Sequence, residues 1–274
     1  MSEHICRKGA TAVITGAASG IGAGLARRAA ELGMRLVLAD IDAERLQALG
    51  ASLDTEVLAV PTDVTDEAAV DQLAARAWER FGGVDLLFNN AGVMATGFTW
   101  EISQRRFEHS FAVNVQGVLN GLRSFVPRLL QQGSRSHIVN TASIGGFLPS
   151  PLMSPYSATK FAVVALTESL HGELRMLDAP IGVSLLAPGP VQSGIFDDPF
   201  GDAPEQPAVR GFVEQLRGML RENGLSPDEF AQRVFTGINE GRYWLLPQPE
   251  LLDEALKART EGILVRRDPQ LPRY

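Results

Sequence analysis

The chain alternates short apolar runs with longer segments in which apolar residues recur at helical spacing. The strand-like runs are residues 11–15, 35–39, 57–60, 84–88, 137–140, 182–187 and 242–246. Helical patterns fill residues 22–32, 43–48, 67–81, 102–130 and 156–177, and two more follow at 209–221 and 227–238. Strands separated by helices form βαβ units, whose strands are parallel and covered on both faces. The sequence therefore predicts a doubly wound α/β fold with a mainly parallel, seven-stranded sheet.

Composition narrows the function classes. Of the 274 residues, 45% are hydrophobic, which excludes a disordered or fibrous chain. The 25 Lys and Arg residues against 32 Asp and Glu give a net charge of −7, with no basic block, which argues against a nucleic-acid or membrane surface. A single cysteine, Cys6, excludes a disulfide framework, and the four histidines lack metal-ligand spacing. We expect a cytoplasmic protein without a metal, a nucleic-acid partner or a membrane anchor.

No linker divides the chain, so we expect a single domain over residues 1–274. Residues 193–207 are rich in Asp, Pro and Gly and read as a mobile loop. This loop and the helical pattern after it predict a substrate lid at about 193–225. A C-terminal tail is expected at about 259–274.

A glycine-rich turn ends the first predicted strand and leads into the first helix. From Thr15 to Gly22 it has the spacing G-x-x-x-G-x-G. Glycine lets backbone N–H groups approach a phosphate without a Cβ, and a helix N-terminus adds partial positive charge. The turn is a candidate pyrophosphate site, although a glycine-rich turn can also be purely structural. Its candidate contacts are Gly16, Ser19, Gly20, Ile21 and Gly22.

Asp40 follows the second predicted strand, about 20 residues beyond the glycine turn, where an acid can accept both hydroxyls of an adenosine ribose. Its charge would also repel the 2′-phosphate of NADP, and neither Ile41 nor Asp42 supplies a cation. Asp40 therefore favours NAD over NADP. The alternative is an ordinary solvated turn residue.

Three further residues suggest acid–base chemistry. Tyr156 and Lys160 are four residues apart and share a helix face. A nearby ammonium stabilises a phenolate, and lowering the tyrosine pKa by about three units corresponds to roughly 4 kcal/mol. Ser143 follows the strand at 137–140, at the sheet edge where α/β proteins bind ligands. Each feature alone is ordinary, but with the glycine turn and Asp40 they predict a catalytic site.

Together these motifs resemble the short-chain dehydrogenase/reductase family in its shorter, single-domain branch. The resemblance runs from about residue 10 to residue 193. Its other motifs are Asp63-Val64, Asn89-Asn90-Ala91-Gly92, Asn114 and Pro188-Gly189-Pro190-Val191-Gln192-Ser193. Ser193 stands where the family commonly has Thr, which keeps a hydroxyl, and the chain beyond it matches the family only loosely.

The resemblance implies a Rossmann-like oxidoreductase that interconverts a secondary alcohol and a ketone with NAD, NADP being less favoured. Tyr156 would be the acid/base and Ser143 would orient the substrate. Lys160 would lower the Tyr156 pKa and hold the nicotinamide ribose, and Asn114 would hold a helix kink and a water beside Lys160. The other implied cofactor contacts are Asp63 and Val64 at the adenine, Asn90, Ala91 and Gly92 at the adenine ribose, and Pro188, Gly189, Val191 and Ser193. Asn89 and Asn90 could equally hold neighbouring strands together.

The sequence excludes one of two rival functions and leaves the other open. Residues 157–160 fit the S-x-x-K motif of penicillin-binding proteins, but S-D-N and K-T-G are absent, which excludes that serine hydrolase class. A non-catalytic dinucleotide-binding sensor or scaffold is the stronger alternative, because fold alone does not exclude it. Ser143, Tyr156 and Lys160 favour the enzyme, since a sensor needs no proton-transfer group.

The substrate and the assembly are predicted in outline. The residues expected to line the substrate are apolar, which favours a hydrophobic or aryl alcohol or ketone. They are Met94, Ile144, Gly145, Phe147, Met153 and the loop 195–200. Residues 224–256 weakly resemble family members that act on lignin-derived aryl alcohols. The helical patterns at 102–130 and 156–177 are apolar on more than one face, and together with the family resemblance they predict a homodimer or homotetramer.

Overall fold

The computed structural model describes residues 4–199 and 206–270. Within them, seven parallel strands form one sheet in the order β3-β2-β1-β4-β5-β6-β7. The strands are β1 (Thr11–Thr15), β2 (Arg35–Asp40), β3 (Val57–Pro61), β4 (Leu86–Asn89), β5 (Ser136–Thr141), β6 (Ile181–Leu186) and β7 (Trp244–Leu245). This architecture confirms the predicted fold class.

Helices cover both faces of the sheet. In the described residues they are α1 (Gly20–Glu31), α2 (Ala43–Ser52), α3 (Glu67–Phe81), α4 (Gln104–Phe111), α5 (Gly117–Gln132), α6 (Ser154–Met176), α7 (Pro207–Asn223), α8 (Pro227–Asn239) and α9 (Asp253–Leu264). Successive strand residues point to opposite faces. Ile14 and Phe88 pack in one core with α1 and α8, whereas Val13 and Leu87 pack in another with α3, α5 and α6. The two cores fix which helices lie on which side.

The helix predicted for residues 102–130 runs from Gln104 to Gln132, and a π-helical turn divides it. α4 ends at Phe111, residues Ala112–Gln116 form a π-helical turn, and α5 continues from Gly117. Asn114 lies within this turn. A π-turn inserts an extra residue into the helical ladder, so it bends the helix and redirects the side chains around it.

The C-terminal third also differs from the prediction. β7 has only two residues, because only Trp244 and Leu245 pair with β6. Helix α9 lies where the sequence predicts no helix, and it covers the first part of the tail predicted from residue 259. None of the residues of α9 is buried, so the helix lacks the periodic spacing of apolar residues that marks a helix packed on a core. The lid predicted at about 193–225 contains α7. Residues 200–205 of this lid lie outside the described residues.

The strand order creates a crevice at one edge of the sheet. The connections from β1 and β4 run in opposite directions along the sheet, which makes their carboxyl ends the topological switch point. Six of the predicted motifs lie at or just after the carboxyl ends of strands, whereas Asn114, Tyr156 and Lys160 lie on helical segments. The glycine turn follows β1, Asp40 ends β2, Asp63 follows β3, Asn90 follows β4, Ser143 follows β5 and Pro188 follows β6. No helix in the described part of the chain is long and apolar enough to cross a bilayer.

Candidate active site

The glycine turn packs tightly against the loop that follows β4. Gly16 has φ +65°, and a Cβ there would lie 2.7 Å from Ala91 Cα. A Cβ at Gly22 would collide with the Gly16 carbonyl oxygen. Both positions therefore require glycine.

The N-terminus of α1 is open to a ligand. Ser19 is its N-cap residue, yet its side chain makes no capping hydrogen bond, and the first turn contains no acidic residue. The first N–H groups of a helix have no partner within the helix, and the helix dipole favours an anion there. These two features suit a phosphate.

Asp40 is held by two backbone N–H groups. Ala18 N donates to Oδ2 at 2.9 Å and Asp42 N donates to Oδ1 at 3.0 Å. The carboxylate is thus fixed against the glycine turn. A carboxylate has about four acceptor sites, so two remain for a ligand.

Thr15 and Asn90 join the ends of β1 and β4. The N–H groups of Asn90 and Ala91 donate to Thr15 Oγ1 at 2.9 and 3.1 Å, and Asn90 Nδ2 donates to the Thr15 carbonyl at 3.0 Å. Asn89 instead donates to Asn140 on β5 at 2.8 Å. Both asparagines therefore have the strand-linking role that the sequence left open.

Ser143, Tyr156 and Lys160 come together at the start of α6. Tyr156 and Lys160 are buried one turn apart, and the Lys160 ammonium lies 5.6 Å from the Tyr156 ring centroid. Ser143 lies close enough to the Tyr156 hydroxyl to act on its pKa, and the Ser143 Oγ accepts from Gly145 N at 3.1 Å and donates to the Pro188 carbonyl at 3.4 Å. Lys160 Nζ donates to the Thr141 carbonyl at 2.9 Å. The residues predicted to be catalytic are thus adjacent.

Burial dominates the electrostatics of this group. It raises the pKa of Tyr156, and the Ser143 hydrogen bond acts in the opposite direction with a smaller effect. Burial also lowers the pKa of Lys160 to about 8. The net direction is therefore opposite to the predicted lowering of the Tyr156 pKa, because removal of the phenol from water is the largest effect on that group.

Asn114 ties the loop after β4 to α6. Its Nδ2 donates to the Val93 carbonyl at 2.9 Å and to Thr159 Oγ1 at 3.0 Å, while its Oδ1 accepts from Val93 N at 2.8 Å. Thr159 Oγ1 in turn donates to the Tyr156 carbonyl at 2.8 Å. Asn114 therefore reaches the helix between Tyr156 and Lys160, from the π-turn that bends its own helix.

The segment after β6 lies over the start of α1. A Cβ at Gly20 would lie 2.9 Å from Ser193 Cβ, which places Ser193 against the glycine turn. The Pro188 carbonyl accepts from Ile144 N at 2.9 Å, and Gln248 Nε2 donates to the Pro190 carbonyl at 3.0 Å. Val191 forms a parallel bridge with Leu225. The segment predicted to contact the cofactor is thus held from both sides.

Apolar side chains pack around Tyr156. The side chains in contact around it come from the loop after β4, the start of α6, the lid and α7: Met94, Met153, Ile195, Phe196, Phe212, Leu216, Met219 and Leu220. A cleft of about 760 Å³ opens beside Met94 and Ile195, and its other lining residues include the polar and charged Arg105, Arg106, His109, Ser110, Asp197 and Asp198. Phe147, predicted to line the substrate, instead packs against Trp244 with ring centroids 5.9 Å apart. Phe200 lies outside the described residues.

Comparison with known proteins decides the family. A sequence profile of the family described as short chain dehydrogenase matches residues 10–201. This chain is a short-chain dehydrogenase. A short-chain dehydrogenase/reductase from Burkholderia phymatum, solved in complex with NAD, has 42% identity and a TM-score of 0.91, covering 97% of this chain and 98% of its own.

Curated relatives agree with this assignment. The CLA biosynthesis dehydrogenase/reductase of Lactiplantibacillus plantarum is 33% identical over 261 residues, 89% of this chain and 91% of its own. The 1-deoxy-11-beta-hydroxypentalenate dehydrogenase of Streptomyces exfoliatus is 33% identical over 266 residues, 95% of this chain and 90% of its own. The short-chain dehydrogenase is therefore an oxidoreductase. Solved relatives contain NAD or 5-hydroxy-NADP, so family membership indicates a nicotinamide cofactor of either kind.

Three groups in the site of this short-chain dehydrogenase were not predicted from the sequence. The Thr15 hydroxyl links the two central loops, and the Thr141 carbonyl binds Lys160. A backbone carbonyl leaves no side-chain signal. Leu216 from α7 enters the pocket, and its periodic partners Val209 and Val213 are the signal that α7 buries one face.

Proposed function

We propose that this short-chain dehydrogenase interconverts a hydrophobic secondary alcohol and its ketone, of the aryl type, with NAD as cofactor and Tyr156 as acid/base. The observation that carries the proposal is the buried cluster of Ser143, Tyr156 and Lys160, which lies at the switch point of the sheet beside packed apolar side chains.

The residues at the sheet edge fit a dinucleotide. The glycine turn leaves a concave backbone surface that side chains at Gly16 or Gly22 would fill, and the first turn of α1 supplies N–H groups for the pyrophosphate. Gly92 lies beside Lys160, since a Cβ on it would be 3.5 Å from Nζ. We assign the pyrophosphate to the turn and the nicotinamide ribose to Lys160, with Asn90, Ala91 and the segment from Pro188 to Ser193 lining the path between them.

Asp40 is the basis for proposing NAD. Its carboxylate keeps two acceptor sites for the two hydroxyls of the adenosine ribose. A 2′-phosphate in the same place would bring like charges together. Ile41, which is 74% exposed directly after Asp40, offers an apolar surface and no cation for that phosphate.

The proton chemistry follows from the raised pKa of Tyr156. At neutral pH the phenol is protonated, which is the form that donates a proton to a ketone oxygen during reduction. When bound, the nicotinamide supplies the hydride for reduction or accepts it for oxidation. In alcohol oxidation Tyr156 must first lose its proton and then takes the proton of the substrate hydroxyl.

Ser143 and Lys160 support Tyr156. Ser143 lies beside the Tyr156 hydroxyl, so we assign both hydroxyl groups to the reacting oxygen, where they would stabilise developing negative charge. The Lys160 ammonium, held on the Thr141 carbonyl, favours the phenolate that remains after proton donation. Asn114 fixes the turn of α6 that carries both residues.

The pocket supports an apolar substrate. The wall around Tyr156 is formed by Met94, Met153, Phe196 and Leu216, whereas the adjacent cleft is also lined by the charged side chains of Arg105, Arg106, Asp197 and Asp198. Methionine side chains adapt to irregular apolar shapes, and Phe196 offers an aromatic face. Such a wall favours an aryl or alicyclic group over a polyol, whose hydroxyls would lose water without gaining partners.

A turnover screen tests this function. Aryl and alicyclic secondary alcohols are incubated with NAD, polyols serve as the comparison, and reduced nicotinamide is followed by its absorbance. We expect turnover confined to the apolar alcohols. Turnover of polyols alone would contradict the substrate class, and binding of NAD without turnover of any alcohol or ketone would favour the non-catalytic sensor.

A further inference from the structure

We propose that Asn120, a residue outside every cofactor motif, positions the carboxylate of Asp63 to recognise the amino group of adenine. The proposal rests on the proposed function, because it assumes that a dinucleotide binds with its adenine at Asp63 and Val64. It adds a positioning residue on α5, behind the loop that would contact the base.

Asn120 is fully buried, and both polar atoms of its amide have a hydrogen-bond partner. Nδ2 donates to the Val64 carbonyl at 2.8 Å, and Oδ1 accepts from Gln116 Nε2 at 2.8 Å. A carbonyl oxygen only accepts, so the amide nitrogen must face Val64. Within α5, Asn120 thus holds one specific peptide of the loop after β3.

That peptide also controls the Asp63 side chain. Its carbonyl belongs to Val64 and its N–H to Thr65, and the Thr65 N–H donates to Asp63 Oδ1 at 2.9 Å. The Thr65 hydroxyl donates to the same oxygen at 2.8 Å. Since a peptide is planar, fixing its carbonyl also fixes the direction of its N–H. Asp63 Oδ2 has no hydrogen-bond partner among the described residues, which leaves it for a ligand.

Gly117 prevents the loop from taking another position. It lies one turn before Asn120 on α5, and a Cβ there would be 2.8 Å from Val64 Cγ2. The helix therefore packs directly on Val64, which is buried. The contact and the Asn120 hydrogen bond together hold the loop against α5, so the Asp63 carboxylate keeps one orientation before a ligand arrives.

The chemistry of the base makes this orientation measurable. The 6-amino group of adenine donates a hydrogen bond that a carboxylate accepts. Hypoxanthine has an oxo group at that position, which accepts and would repel the carboxylate. A protein with a correctly oriented Asp63 should bind NADH more tightly than reduced nicotinamide hypoxanthine dinucleotide, by on the order of tenfold for one charged hydrogen bond.

The test compares the binding of these two dinucleotides by calorimetry, without a turnover assay. The variants are Asn120→Asp, which turns an acceptor towards the Val64 carbonyl, and Asn120→Leu, which removes the amide without adding charge. Asn140→Leu is the matched control, because Asn140 is equally buried and also makes two amide hydrogen bonds, to Asn89 and Thr167. Thermal melting shows which variants are folded.

We expect the wild type to prefer NADH about tenfold, the folded Asn120 variants to lose that preference through weaker NADH binding, and the Asn140 variant to keep it. If the Asn120 variants keep the preference, or the wild type has none, the proposal is wrong. If the wild type binds neither dinucleotide, the proposed function itself fails.

Discussion

Cofactor choice should depend on a single carboxylate, and Asp40→Asn tests it with little change in shape. In the structure Asp40 accepts from Ala18 N and Asp42 N at 2.9 and 3.0 Å, with one oxygen used by each. Asparagine keeps one acceptor oxygen and replaces the other with a donor. The variant therefore loses the negative charge together with part of the hydrogen bonding to the ribose.

The size of the effect has two parts. Hydrogen bonds to a charged acceptor contribute about 1.5–3 kcal/mol and neutral ones about 1 kcal/mol, so the variant should bind NAD about 2 kcal/mol more weakly. Relief of the repulsion against the 2′-phosphate should improve NADP binding by roughly 1–2 kcal/mol after solvent and salt screening. The preference for NAD over NADP should fall by two to three orders of magnitude.

Calorimetric titration of the folded variant with NAD and NADP measures this ratio directly. Asp42→Asn is the matched control, because it removes the same charge two residues away, where Asp42 caps α2 through Arg45 N. Its ratio should stay within about twofold of the wild type. The reasoning is refuted if the wild type binds NAD and NADP equally, or if the two variants behave alike.

Three further predictions concern pH and assembly. Burial lowers the pKa of His137 to about 4, so protonation opposes folding, and the free energy of unfolding should fall by about 3 kcal/mol as the pH drops from 6.5 to about 4. Denaturant titrations at several pH values measure this free energy. The prediction is contradicted if the unfolding free energy of His137→Gln depends on pH as steeply as that of the wild type. Burial lowers the pKa of Lys160 to about 8, so Lys160 loses its charge above that pH, and kcat/KM for ketone reduction should decline there. A flat pH profile up to pH 10 would exclude the role of the Lys160 ammonium in stabilising the Tyr156 phenolate. Met176 and Leu177 are 84% and 64% exposed at the end of α6, so light scattering should find a dimer or tetramer, in contrast to a single 29.5 kDa species.

Much of the fold could be predicted because the core is periodic. The bounds of α3 agree with the sequence prediction because Asp66 caps its start and Gly82, with φ +76°, ends it. The resemblance implied a helix kink at Asn114, whereas the apolar spacing of residues 102–130 runs through the π-turn without a break and gives no sign of it. Helix α9 was not predicted, because it buries no residue and so lacks the periodic spacing of apolar residues that marks a helix.

Only part of the candidate site could be predicted from the sequence. Ser143, Tyr156 and Lys160 were predicted because their spacing along the chain is distinctive, and the structure brings them together. The Tyr156 pKa was predicted in the wrong direction, because a sequence does not show how completely a phenol is buried. The bond from Asn120 to Val64 joins positions far apart in the chain, and the sequence contains no motif for it.

The central claim is that Tyr156 transfers the proton that accompanies hydride transfer. The most direct measurement is kcat/KM of Tyr156→Phe on the best alcohol from the screen, together with its Kd for NADH. The phenylalanine keeps the ring and removes only the hydroxyl that lies beside Ser143. We predict a loss in kcat/KM of at least about a hundredfold with the Kd for NADH little changed. Undiminished turnover in this variant would contradict the account.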